Sequence, residues 1–257
     1  MKYCYIVTEG IHDIEFLTKL IKELFSLSRI KKRSLVNPFW DELIPKTFPI
    51  NDDLLKRIPV PSFIQNEQYS IALHNATGIN NIVNTLEESL SVIDTSKLFS
   101  IGLILDADIE EKPQKRFQDL IQELSKKITL INFPSLQLGE VNISNPRFGI
   151  FILPDNQNQG TLESILMECA KINYPDLLES ATEYIEGFDS SKLTAKELKE
   201  FNKLAGKNKA IISSMSSILK PGKAIQVSLQ DNQWINQNSL ELPSIILLQK
   251  FINDLID

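Results

Sequence analysis

Apolar and polar positions alternate along this chain in blocks of two different periods. Tyr3 to Val7 is a dense, mostly apolar run of the length expected for a buried central strand. Thr8, Glu9 and Gly10 end it. From Ile11 to Phe25 the apolar positions are Ile11, Ile14, Phe16, Leu17, Leu20, Ile21, Leu24 and Phe25, the spacing of a helix with one buried face. The same hand-over recurs down the chain. Tyr69–Leu73 predicts a second strand, broken by Thr77-Gly78 and followed by a helix over Ile79–Leu90. Phe99–Leu105 predicts a third, closed by Asp106-Ala107-Asp108. Pro113 then stands near a helix start, a favoured place for proline. Thr129–Phe133 reads as a short strand or extended segment. Arg147–Leu153 predicts a further strand, ended by Pro154-Asp155-Asn156, and Gly160-Thr161 opens a helix through Ala170.

A repeated strand–loop–helix rhythm predicts an α/β fold, Rossmann-like, with a mostly parallel sheet flanked by helices. Residues 34–68 interrupt it. They hold Pro38, Pro45, Pro49, Pro59 and Pro61 without a clean period, and read as an irregular insertion with a short helix at Asn51–Arg57. From about Tyr174 the pattern is helical: Asp176–Ile185, Thr194–Leu204, Asn208–Leu219 and Leu240–Ile256, with Trp234 as a packing anchor. The expected organisation is a core over residues 1–172 and a mainly helical C-terminal extension over 173–257 packed on it.

Bulk properties narrow the picture. The 257 residues can bury one substantial core. A 42% hydrophobic and 23% charged composition is that of an ordinary globular protein. No apolar run reaches membrane-spanning length, and the first residues enter a strand at once without a basic region and cleavage site. Cys4 and Cys169 form no spacing motif, which suits a reducing compartment, so a cytoplasmic location is expected. The net charge of -6 argues against wholesale coating of nucleic acid, while a local basic groove or bound cations would still allow a phosphate substrate.

The chemistry collects at strand ends, where open α/β sheets place their sites. The first end offers Glu9 and Asp13, with Gly10 permitting a tight turn and Asp13 in a helical first turn that favours an acid. The third offers Asp106 and Asp108. The fourth offers Asp155, with Glu163 further on in its helix. Like charges brought together call for a compensating cation. An all-oxygen set suits Mg²⁺ or Mn²⁺, and no cysteine or histidine cluster suggests zinc. Each acid also has a plainer reading as a helix cap or solvated loop residue. His12 and His74 are read mainly as structural, with contact to a phosphate as the alternative; Asn75 and Thr77 could position one, with Gly78 giving close backbone approach. Lys207, Lys209, Lys220 and Lys223 read as scattered solubilising charge or as a positive patch.

Glu9-Gly10 after the first strand and Asp106-Ala107-Asp108 after a later one resemble the motifs of the Toprim fold family, and Asp13 matches an extra acid of several small members. The segment Gly149 to Glu163 and a tail with Trp234 and Phe251 resemble stand-alone Toprim-related proteins of bacteria and archaea and, more distantly, nucleases associated with overcoming lysogenisation defects. The resemblance implies a Mg²⁺- or Mn²⁺-dependent nuclease with one or two ions. Glu9 would act as general acid or base or as ligand, with Asp106 and Asp108 as ligands. Asp13 would bind the same ion or order its waters, and Asp155 and Glu163 are candidates for a second. Gly10, His12, His74, Asn75 and Gly78 are candidate substrate contacts. Nucleic acid is the expected partner, with a homodimer and a separate ATPase partner as further expectations and no membrane. The alternative is a non-catalytic nucleotide- or nucleic-acid-binding regulatory protein using the same residues.

Overall fold

The computed structural model describes residues 1–47, 52, 59–107, 112–129 and 136–257. It is a mixed α/β fold. An open sheet is flanked by helices, and the chain ends in a helical region. The strands are β1 (Lys2–Thr8), β2 (Ser28–Arg29), β3 (Ser62–Gln65), β4 (Tyr69–Asn75), β5 (Leu98–Asp106), β6 (Val141–Asn142) and β7 (Arg147–Leu153). Their order across the sheet is β2-β3-β4-β1-β5-β7-β6. The four central strands β4, β1, β5 and β7 are mutually parallel, while β3 and β6 join antiparallel at the two sides.

The helices are α1 (Ile11–Phe25), α2 (Ile82–Val92), α3 (Pro113–Lys127), α4 (Leu162–Asn173), α5 (Pro175–Glu186), α6 (Ala195–Phe201), α7 (Leu204–Leu219), α8 (Ile225–Asp231) and α9 (Pro243–Ile256). Alternation along the strands sorts them onto two faces. Cys4 and Ile6 of β1 join a core with α1, α4, α7 and α9. Tyr5 and Val7 join the opposite core, with α2 and α3. Because both faces are covered, the strands read as continuous apolar runs rather than alternating ones.

Helix α9 returns from the end of the chain to lie directly on the sheet. Gly102 of β5 and Gly149 of β7 are register partners. A Cβ on Gly102 would stand 2.5 Å from Leu255 Cδ2, and one on Gly149 would stand 2.7 Å from Phe251 Cε2. The paired glycines therefore form a shallow slot that lets the helix approach the strands.

The insertion is less irregular than its prolines suggest. Pro38–Leu43 is a 3₁₀ segment whose Trp40 is fully buried, with its Nε1–H donating to Ser70 Oγ at 2.9 Å. Ser62–Gln65 pairs antiparallel with β4. Such a short strand has too few residues to declare a period, and long-range pairing rather than local pattern defines it. The helix expected at Asn51–Arg57 lies outside the described residues apart from Asp52, as does the extended segment at Thr129–Phe133 apart from Thr129. Helix α8, in the stretch after Pro221-Gly222, is a further element that periodicity missed, being only 7 residues long.

Candidate functional site

Parallel strands bring their C-terminal ends to one edge of the sheet. Backbone hydrogen bonds stitch those ends together. The Ala76 N–H donates to the Thr8 carbonyl and the Gly78 N–H to the Glu9 carbonyl, both at 2.9 Å, and the Ala107 N–H donates to the Leu153 carbonyl at 3.1 Å. Gly78 has φ +118°, a backbone state that L side chains rarely adopt, so glycine is needed there to seat Glu9 from the neighbouring loop. Helix α1 follows β1 onto one face and α3 follows the adjacent β5 onto the other. Leaving on opposite faces, these two helices part above the edge where β1 ends near Glu9 and β5 ends at Asp106, an arrangement that makes a crevice there.

Asp13 lies in the first turn of α1, only 5% exposed, and its Oδ2 accepts from the Gly10 N–H at 2.7 Å. Gly10 is extended, with φ -135° and ψ 168°, rather than in the tight turn that the sequence suggested. A Cβ there would meet Asp13 Oδ2 at an ordinary 3.5 Å. Asp106 closes β5, and its Oδ1 accepts from the Leu162 N–H at 2.9 Å, so it sits at the N-terminus of α4. Glu163 is the next residue of that helix. It is buried, and its Oε2 accepts from Thr161 Oγ1 at 2.7 Å.

These side chains act on one another. Burial pushes the Asp13 carboxyl up to about 7, and the charges of Glu9 and Glu163 push the same way against the pull of the Gly10 N–H. Burial raises Asp106 well above the ordinary carboxylate range, with Asp13, Glu9 and Glu163 adding repulsion and the Leu162 N–H opposing it. Four acids from three separate parts of the chain therefore share one corner that resists full ionisation.

Other candidates lie elsewhere. Asp155 is turned into its own loop, accepting from the Gln157 and Asn158 N–H groups at 3.0 and 2.7 Å. It lines a groove with Gln114, Leu247 and Lys250 rather than the acid corner. Asp108 lies outside the described residues. His74 is 8% exposed within a hydrogen-bonded set. Its Nε2 faces the Pro59 carbonyl at 3.0 Å, which can only accept, so Nε2 carries the proton. Nδ1 then accepts from the Tyr5 hydroxyl at 2.6 Å, and Ser89 lies 2.6 Å from that hydroxyl in turn. This chain ties the end of the insertion to β1, β4 and α2. Asn75 Oδ1 accepts from the Thr77 N–H at 2.8 Å and shapes the loop leading to Gly78.

His12 points instead toward the C-terminal helices. Burial lowers its imidazole below the ordinary value, with Glu163 pulling it up and Lys209 pushing it down. Lys209 belongs to α7, and its charge also reaches Asp13. The sequence grouped Lys209 with Lys207, Lys220 and Lys223 as scattered charge or a positive patch; nothing local distinguished it from the others.

The donor chemistry of the corner matches a hard divalent cation: carboxylate oxygens only, mutually repelling, with Asp13 and Glu163 buried and Glu9 and Asp106 partly so. Glu9, Asp13, Asp106 and Glu163 are the described residues that would hold it. In their present hydrogen-bonded positions, no three His, Cys, Asp or Glu among the described residues form a group that could hold a metal ion. Asp13, Asp106 and Glu163 each engage a protein donor here, and those bonds compete with metal ligation. Among the described residues, no helix is long and apolar enough to cross a membrane.

Comparison with curated proteins finds no match. Among solved structures, the crystal structure of hypothetical protein PH0156 from Pyrococcus horikoshii OT3 is similar over 99% of this chain and 95% of that one, at 15% identity and a TM-score of 0.48. A family model described as "Protein of unknown function (DUF3226)" matches residues 4–255. With nearly its whole length matched, from the first strand to the last helix, the chain belongs to the DUF3226 family.

Proposed function

We propose that this protein hydrolyses phosphodiester bonds of nucleic acid with the help of Mg²⁺ or Mn²⁺, at a Toprim-like carboxylate site. The observation that carries the reading is the shared corner of Glu9, Asp13, Asp106 and Glu163 at the C-terminal edge of the parallel strands. Asp106 and Asp13 would hold the ion, with Asp108 and Glu163 completing its ligands. Glu9 is partly exposed at the crevice, where it can accept a proton from an attacking water or share in ligation. When bound, the cation supplies charge neutralisation for the phosphoryl oxygens and acidifies a water. The test is cleavage of single- and double-stranded DNA and RNA with each metal, comparing wild type with Glu9→Gln and Asp106→Asn. Metal-dependent cleavage lost in both folded variants supports the reading; cleavage kept in both overturns it.

A second reading is a non-catalytic nucleotide- or nucleic-acid-binding regulatory protein using the same residues. The small cavity beside Glu163, of about 240 Å³, favours it, because a single nucleotide group suits such a space better than a duplex does. Binding without cleavage in the same assays would select this reading.

A further inference from the structure

The acid corner has a neighbour that no motif in the sequence announced. We propose that the cavity walled by α1, α4, α7 and α8 is an anion subsite, in which Lys209 and His12 hold a nucleotide phosphate next to the carboxylates. The inference rests on the reading of that corner as phosphodiester-directed, and it names the substrate group that the C-terminal helices recognise.

The cavity, of about 240 Å³, is lined by His12 from α1, Glu163 from α4, Lys209 and Ser213 from α7, and Ile225 from α8. Glu163 belongs both to this wall and to the set of acids acting on Asp106. A group in the cavity therefore lies beside the place where the reaction would occur. An anion brought to four carboxylates is repelled unless a positive charge faces it from another side. Lys209 is that charge, near enough to act on both Asp13 and His12.

The donor groups in the cavity are also uncommitted. Lys115, Lys127 and Lys203 each pair with an acid three or four residues away on the surface. Lys209 makes no ion pair or hydrogen bond among the described residues, and its side chain is exposed. The His12 ring and the Ser213 hydroxyl likewise have no hydrogen-bond partner among the described residues. An ammonium, an imidazole N–H and a hydroxyl converging on one space are donors suited to phosphate oxygens. Leu166, Ile212 and Ile225 complete the wall with apolar surface fit for a sugar or base edge. On a chain of net charge -6 the general field opposes an anion, so local placement must supply the attraction.

The chain has only two histidines, which makes the test direct. Thymidine 5′-monophosphate and, separately, inorganic phosphate are titrated into the full-length protein while the His12 and His74 ring signals are followed by NMR. His12→Asn identifies the resonances. The expected result is a saturable shift at His12 with His74 unmoved, weakened about tenfold by Lys209→Met and restored by Lys209→Arg, the scale of one lost charge-assisted hydrogen bond. No shift at His12, or equal affinity in Lys209→Met, overturns the subsite. Cleavage assays separate this from the parent reading. A protein that binds the nucleotide at His12 but cuts nothing keeps the subsite and loses the hydrolysis. A protein that cuts, with KM unchanged in Lys209→Met and no His12 shift, does the reverse.

Discussion

Asp106 at the end of β5 accepts a hydrogen bond from the backbone N–H of Leu162, 56 residues later, at 2.9 Å. One carboxylate thus caps the N-terminus of α4 while facing Asp13, Glu9 and Glu163. The helix end favours its negative charge and the other acids oppose it.

That double role separates two substitutions. Asp106→Asn keeps an oxygen for the Leu162 N–H and removes the repulsion, so its melting temperature at pH 8 should equal or exceed that of wild type. Asp106→Ala loses the cap and should cost about 1 kcal/mol by denaturant titration. Both should lose metal-dependent cleavage. A large destabilisation in Asp106→Asn would contradict the proposed repulsion.

Asp13 gives the stability a definite pH dependence. Its pKa is about 7 when folded, against an ordinary value of 3.8. Between those values the folded state holds a proton that the unfolded chain has released. This group's contribution to stability is therefore complete below about pH 4 and is lost as pH rises toward 7. Asp13→Asn should remove that slope and raise the melting temperature at pH 8 relative to wild type. Parallel melting curves from pH 4 to 8 in the two proteins would show that Asp13 is not the source.

A divalent cation should act on the same balance from the other side. Ligation requires ionised carboxylates, so added Mg²⁺ or Mn²⁺ should raise the melting temperature more at pH 8 than at pH 5. The shift should vanish in Glu9→Gln/Asp106→Asn. A shift of equal size in that double variant would place the ion elsewhere.

The glycine slot under α9 predicts an overpacking effect. Gly102→Ala puts a methyl group 2.5 Å from Leu255 Cδ2 and should destabilise the protein by about 1–3 kcal/mol. Trimming the helix side with Leu255→Val in the same chain should recover part of the loss. Additive losses from the two changes would show that the contact with Leu255 does not set the cost.

Glu15 tests how the edge strands and C-terminal helices are joined. It is 2% exposed, accepts from both Arg29 terminal nitrogens at 2.6 and 2.8 Å, and accepts from Gln230 Nε2 at 2.6 Å. Glu15→Ala leaves the guanidinium partly buried without its carboxylate and should cost about 3–5 kcal/mol. Glu15→Gln should cost less. A neutral outcome in the alanine variant would mean that Arg29 swings to solvent.

Periods along the chain by themselves determined much of the frame. Ile11–Phe25 and Arg147–Leu153 run in the structure over the bounds that their apolar spacing predicts. Burial repeats locally along a helix or strand, so a local pattern carries it. Glu9, Asp13 and Asp106 were likewise visible as acids just past strand ends, because parallel strands send those ends to one edge. Tertiary structure alone decided which acids meet. Asp155 also follows a strand, yet its loop turns the carboxylate onto Asn158. Glu163, paired with Asp155 in sequence as a candidate ligand, parts from it and is carried into the corner by α4. Lys209 reaches it from α7, and no spacing relates residue 209 to residue 13. Strand β3 and the glycine slot are of the same kind: each depends on a partner distant in the chain. Only packing brings such partners together, whereas periodicity records no more than which side of each element faces inward.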